Sequence, residues 1–540
     1  MTFFKRRFGK QHAPEAVRSS FLLPRIFFIA LTTWALPLRA LEVPTIFSDH
    51  MVLQQGQPLP VWGRAEAGAR ISVVFGKQSL ETVADGQGKW LVTLAPETAS
   101  AIPATLQVRC GDKEVILKDI LVGEVWLCSG QSNMQHTVGE ALNADITPIV
   151  AQNPLIRLYQ VDRVASTTPR FSANTTWTPT EYKTVSSFSA AGIHFASVVQ
   201  PTLGVPVGLI GASWGATPAI AWTRPSVLDK HPLFLENLAE WEKGMKAFPE
   251  RYAAYLVKCA EWNKSKGLPE DAPVNHWSTP GAPKPPPYDP NGSNRAGNLA
   301  NGMLSTVAPF AMRGVIWYQG ENDTNWVPEK YHERLALMVN DWRVWWNNPE
   351  LAFGVVQLAA WKQPGENSDG DWPRLRESQR QFVLADPHAG LAVAIDVGEA
   401  NNIHPFDKQT VGQRLARWAL ADVYRKIKLR GGPEPVEATF EKSVIIRFES
   451  VGGGLWVFNG GELTGFTVAG SDGVFHEAKA EIKGQNTVEV SSPDVPSPVT
   501  VRYAWAHNPR GANLSNKQRL PAGPFEMSRP PTPNHTNSIP

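Results

Sequence analysis

Cysteine is scarce in this chain: Cys110, Cys128 and Cys259 are the three in 540 residues. Three thiols make no disulfide framework, and their spacing fits no metal-site pattern. One bridge is conceivable, with Cys110 and Cys128 nearest in sequence, but buried free thiols are the expectation. An excess of one charge is also lacking, with 52 Lys and Arg against 50 Asp and Glu. Seven of the basic groups and one acid lie in the first forty residues, so the remainder carries 45 against 49. That balance gives no reason to expect a nucleic-acid partner. Beyond residue 40 no apolar run approaches the ~20 residues that span a bilayer. No Gly-X-Ser-X-Gly elbow is present around Ser132, because Met134 stands where the second glycine would, which disfavours a peptidase or thioesterase. Long disorder is excluded by 42% apolar and 19% charged residues.

What is present points to several domains. The 43 Gly and 45 Pro imply many turns, and the 20 Trp supply flat faces suited to core packing or to sugar rings. Residues 1–40 read as a secretory signal: a basic stretch, the apolar run Ile26–Leu38, then Leu38-Arg39-Ala40 as a small-residue cleavage site. The expectation is a periplasmic or secreted protein, free of the membrane once the signal is removed.

Residues 41–120 alternate apolar and polar positions in short runs, with a turn at Asp85-Gly86-Gln87-Gly88, and predict an N-terminal β domain. From residue 121 to 428 short apolar runs alternate with helical patterns. Val122–Cys128, Leu155–Val161, Val205–Gly211, Arg313–Tyr318, Phe353–Leu358 and Leu391–Asp396 are candidate buried strands. Tyr331, Leu335, Met338 and Trp342 share one helix face, as do Val411, Leu415 and Trp418 behind the N-cap Asp407. Strand–helix alternation argues for a three-layer α/β/α sandwich with a parallel sheet. Residues 225–298 read as an insertion, helical and then rich in Pro, Gly and Asn; it either shapes a cleft wall or is a plain surface elaboration. Residues 429–526 form a second β region, and 527–540 a disordered tail.

Four stretches at predicted strand ends carry chemistry. Ser129-Gly130-Gln131-Ser132-Asn133-Met134 puts a hydroxyl at the tip of a strand-to-helix turn. Gly314–Asp323 delivers Gln319, Glu321 and Asn322 to one loop, where a side-chain amide can donate to an oxyanion without transferring a proton; an Asn/Asp turn capping the next helix is the alternative. Asn401-Asn402-Ile403-His404-Pro405 offers a histidine placed to act as a general base. Gly211–Thr217 contains Gly215, whose backbone N–H could be exposed by a tight turn.

Together these stretches resemble the SGNH-type carbohydrate esterases, specifically the sialate O-acetylesterase family. The likeness is close at Gly130–Met134, at Trp317-Tyr318-Gln319-Gly320-Glu321 and at Ile403-His404-Pro405. It extends to Phe47–Gln54 and Val501–Trp505, and covers residues 41–526. It implies an SGNH-like fold and hydrolysis of an acetyl ester on a sugar hydroxyl. Ser132 would be the nucleophile and His404 the base. The oxyanion would be held by the N–H groups of Ser132 and Gly215 and by an amide, Gln319 being favoured over Asn322 as nearer the strand end. No cofactor or metal is implied, and the partner is an O-acetylated sugar or glycan. The sequence departs from the family where a carboxylate often stands two or three residues before the histidine: here those positions are Asn402 and Asn401. Losing a triad Asp can cost ~10⁴ in turnover, so Asp396, Glu399 and Asp407 are the candidates to reach the ring. An arginine aimed at a carboxylate (Arg157, Arg295 or Arg374) would favour sialate, and a neutral aromatic groove acetylxylan. A non-catalytic carbohydrate-binding protein on an esterase scaffold is the competing reading, supported by the paired asparagines.

Overall fold

The computed structural model describes residues 41–276, 279–362 and 370–530. The expected signal segment and residues 531–540 lie outside them. A parallel six-stranded sheet forms the centre: β1 (Lys113–Gly130), β2 (Ile156–Gln160), β3 (Val207–Ser213), β4 (Gly314–Tyr318), β5 (Ala352–Val356) and β6 (Ala389–Ala392). Their order is β6-β5-β4-β1-β3-β2. The chain builds one side of β1 first and then crosses to the other. Ligands in open α/β sheets bind beyond the carboxyl ends of the strands at such a switch point.

The strands are buried on both faces, and the two-residue period of a strand sends alternate side chains to opposite cores. Val125, Leu127, Val315 and Trp317 join the core under α4 (Tyr331–Trp345), where Tyr331, Leu335, Met338 and Trp342 are fully buried. Trp126, Cys128, Ile316 and Tyr318 face the opposite core, under α2 (Ala190–Leu203) and α6 (Lys408–Trp418). This is the expected three-layer sandwich. Asp407 caps α6 by accepting from the Thr410 N–H at 2.9 Å. The last strand starts two residues earlier and ends four residues earlier than its sequence run suggested, leaving Asp396 in the following loop.

Two boundaries differ in detail. The expected break between residues 120 and 121 falls inside β1, an 18-residue strand. Its first half pairs with Ser100–Cys110 in the N-terminal β region, and its second half with β3 and β4. The insertion is dominated by α3 (Pro232–Ser265), a 34-residue helix of which only Phe234, Gly244, Cys259 and Asn263 are buried. At the C-terminus Phe525–Ser528 pairs with Thr500–Tyr503, so Met527 and Ser528 belong to a sheet and not to a disordered tail. Met527 packs against the core of that β region, which is enough to order it. All three cysteines are free, Cys128 and Cys259 buried and Cys110 half-buried.

One side chain fastens the C-terminal region to the sandwich. Arg376, on α5 (Asp371–Ala385), is fully buried and pairs with no carboxylate among the described residues. Its guanidinium donates to the carbonyls of Leu358 (2.8 Å), Ala359 (2.7 Å), Ala506 (2.6 Å) and His507 (2.9 Å). Burial lowers its pKa to about 9.

Candidate active site

β1 ends at Gly130 with φ of 131°. A Cβ there would lie 2.2 Å from the Tyr318 carbonyl oxygen, to which the Gln131 N–H donates at 3.0 Å. Only glycine allows β4 this close, and the turn it makes opens α1 (Ser132–Gln135). Ser132 is the first residue of that short helix, so its N–H has no acceptor within it. Gln131 turns inward instead, its Oε1 accepting from the Asn322 N–H at 3.2 Å.

The structure brings Ser132 and His404 together across 272 positions: His404 Nε2 lies 2.8 Å from Ser132 Oγ. Burial holds the imidazole below its ordinary range; the Lys408 charge pushes the same way and Glu140 opposes it. A neutral ring facing a hydroxyl at this distance can take its proton.

Asn402 grips the backbone of His404, not its ring. Its Oδ1 accepts from the His404 N–H at 3.0 Å, and its Nδ2 donates to the His404 carbonyl at 2.8 Å and to Glu399 Oε2 at 3.2 Å. The three carboxylates considered from sequence are engaged elsewhere. Asp396 pairs bidentately with Arg414 (2.6 and 2.7 Å), Asp407 caps α6, and Glu399 also accepts from the Phe406 N–H at 2.7 Å. Among the described residues, none hydrogen-bonds the His404 ring through a carboxylate.

A buried network braces the pair from below. Lys408 Nζ donates to Asn133 Oδ1 at 2.8 Å and to the Pro405 carbonyl. Asn133 Nδ2 donates to Glu321 Oε1 at 2.5 Å and to the Ile403 carbonyl at 3.1 Å. One connected set of hydrogen bonds thus links the residue after Ser132, both neighbours of His404 and the loop after β4. Burial lowers Lys408 to about 8 against the pull of Glu321, Glu399 and Asp407. Burial raises the Glu321 carboxyl, whose second oxygen has no hydrogen-bond partner among the described residues. His136, which ends α1, lies 6.3 Å ring to ring from His404, and burial followed by the Lys408 charge lowers it to about 4.

The expected oxyanion donors divide. Gly215 adjoins the hydroxyl, since a Cβ on it would lie 3.3 Å from Ser132 Cβ, but its N–H donates to Gln135 Oε1 at 2.9 Å. Gln319 is fully buried and spent. Both its amide hydrogens are used, on the Thr217 carbonyl (3.1 Å) and Asp323 Oδ2 (2.6 Å), and its Oε1 accepts from the Tyr331 hydroxyl at 2.7 Å. The preference for Gln319 is therefore reversed: three buried partners draw it into the core. Asn322 is half-buried and uses one amide hydrogen, on the Ala216 carbonyl at 3.3 Å, which leaves the other. Arg157 is committed to Asp119 at 3.0 Å, Arg295 donates to the Pro290 carbonyl at 3.1 Å, and Arg374 is exposed on α5. Of the aromatics near these loops, Trp222, Trp317 and Tyr318 are fully buried packing residues.

Sequence reasoning missed Lys408, His136 and the roles of Gln131 and Asn133. The last two sit inside the serine motif, so proximity was an available signal. Lys408 gave none, because a lysine opening a helix is normally solvated.

Residues 292–421 match the family described as carbohydrate esterase, sialic acid-specific acetylesterase. The crystal structure of a carbohydrate acetylesterase from Xanthomonas citri is 32% identical, covers 91% of this chain and 100% of its own, and superposes with a TM-score of 0.75. Sialate O-acetylesterase of Homo sapiens is 27% identical over 455 residues, 74% of each chain, and that of Mus musculus 27% over 436 residues, 72% of this chain and 74% of its own. With a fold, a family match and a relative of this coverage in agreement, the chain belongs to the sialic acid-specific acetylesterase family of carbohydrate esterases and is a carboxylic ester hydrolase.

Proposed function

We propose that the protein removes acetyl groups from sugar hydroxyls through an acyl-enzyme on Ser132, with His404 as general base and acid. The 2.8 Å contact between His404 Nε2 and Ser132 Oγ carries this reading. Oγ attacks the acetyl carbonyl while His404 takes its proton. The tetrahedral oxyanion forms beside the free N–H of Ser132 and the spare amide hydrogen of Asn322, with the Gly215 N–H available once Gln135 lets it go. The imidazolium then protonates the departing sugar oxygen, leaving acetyl-Ser132. Water, deprotonated by the same imidazole, releases acetate and restores the hydroxyl. The N-terminal basic and apolar segment supports export to the periplasm or the medium.

Acetate release from p-nitrophenyl acetate, acetylated sialosides and acetylated xylo-oligosaccharides tests the proposal. Ser132→Ala is expected to reduce kcat by about 10⁴–10⁶-fold. A variant as active as the parent removes Ser132 from the mechanism. An inactive parent that still binds glycans makes the protein a carbohydrate-binding one, a reading that His404's lack of a carboxylate partner among the described residues favours.

A further inference from the structure

A cavity of about 330 Å³ lies between the loop leading to His404 and the C-terminal β region. Neither Ser132 nor His404 lines it, and nothing in the mechanism uses it. Its size falls at the lower end of small-molecule sites. Asp396, Gly398 and Ala400 form the wall on the catalytic side. Ala400 precedes His404 by four residues, and a chain covers at most ~3.6 Å per residue, so their Cα atoms lie within about 14 Å. The bridge between Glu399 and Asn402 folds that stretch and shortens the distance. An occupant of the cavity therefore borders the loop that carries His404.

The opposite wall carries Phe458, Arg510 and Arg519. Phe458 is 43% exposed, an open aromatic face of the kind that stacks on sugar rings. Arg510 and Arg519 are both exposed, and neither guanidinium makes an ion pair or hydrogen bond with another described residue; Arg519 lies 6.0 Å from the Trp456 ring. Asp396, the one acid among the described lining residues, is already paired with Arg414. The rim thus holds two guanidinium groups with no charged partner among the described residues, together with an aromatic face. Arg376 ties Ala506 and His507, just before the lining residues Asn508–Arg510, to Leu358 and Ala359, just before the lining residue Ala360, which holds that part of the cleft in place.

We propose that this cleft is a subsite for an anionic sugar residue of the acetylated substrate, with Arg510 and Arg519 taking its carboxylate and Phe458 its ring face. The proposal rests on the esterase reading above for its place in the reaction, but the binding itself does not depend on catalysis. It assigns the C-terminal β region a share in substrate selection.

Calorimetric titration of the full chain with sialyllactose and with neutral xylotriose tests the subsite directly. The doubly substituted Arg510→Gln, Arg519→Gln protein is expected to bind sialyllactose about tenfold more weakly, the loss of roughly one charge-assisted hydrogen bond. Its affinity for xylotriose and its rate on p-nitrophenyl acetate should stay within twofold of the parent. Equal sialyllactose affinity in parent and variant, or no binding by either, overturns the subsite. So does an equal loss for xylotriose. Failure of the esterase reading shows separately, as absent p-nitrophenyl acetate turnover in the parent.

Discussion

The Lys408 ammonium is a cation carried into a buried pocket beside the imidazole it influences. Because its pKa is about 8, it is charged at neutral pH, and its field helps burial keep His404 unprotonated. The acid limb of kcat/KM is therefore expected below the ordinary imidazole value of about 6.5. Lys408→Met removes one of the two influences that lower the ring, so that limb should move to higher pH. The same substitution severs the bonds to Asn133 and Pro405, and kcat should fall about 10- to 100-fold as His404 loses its fixed position. A pH profile separates the two effects, since a purely structural loss lowers the curve without moving the limb. Asn402 yields the opposite of a simple restoration. An Asp at 402 would lose both Nδ2 donor bonds and set a second carboxylate against Glu399 and the His404 carbonyl. Asn402→Asp is expected to cost about 1–3 kcal/mol by urea unfolding and to lower activity.

At the level of elements, the site depends on how strand ends and clamps are built. Gly130→Ala would push a methyl into the Tyr318 carbonyl, so β1 and β4 could not remain paired at the turn and esterase activity should be lost. Replacing Arg376 with Met leaves the Leu358 and Ala506 carbonyls without a donor, while those of Ala359 and His507 keep the N–H groups of Trp372 and Trp361, and the loss should be at least about 2 kcal/mol in a urea titration. The sequence made the parallel strands legible because each is a short apolar run ending in small or polar residues, and the serine and histidine motifs fall just past such ends. It did not reveal that β1 belongs to two sheets. Local patterning shows an alternating stretch followed by a continuous apolar one, which reads as two strands in two domains. The fate of Gln319 was likewise hidden, because two of its three partners, Thr217 and Tyr331, come from elements whose meeting only the fold decides. Arg376 looks in sequence like any surface arginine on a helix, and its four carbonyl partners come from two distant segments.

Across the whole molecule, burial lowers three imidazoles: His136 to about 4, with His194 and His404 shifted in the same direction. The unfolded chain takes up those protons first, near pH 6.5, so between about 6.5 and 4 it binds more of them than the folded protein, and stability rises with pH across that window. Glu321 and Asp422, raised by burial, act in the opposite sense because the folded state holds their protons longer. His136, lowered to about 4, works across the whole of that window, so the urea midpoint is expected to fall between pH 7 and pH 5, and His136→Gln should flatten that fall. The course of β1 sets a further condition on this architecture. A shortened chain starting at residue 121 would begin midway along its own central strand, stripped of the Val52–Gln54 and Ser100–Cys110 neighbours that pair with it. The N-terminal β region is thus no detachable accessory, and an excised catalytic core is expected to come out of expression as aggregate, not as a smaller working hydrolase.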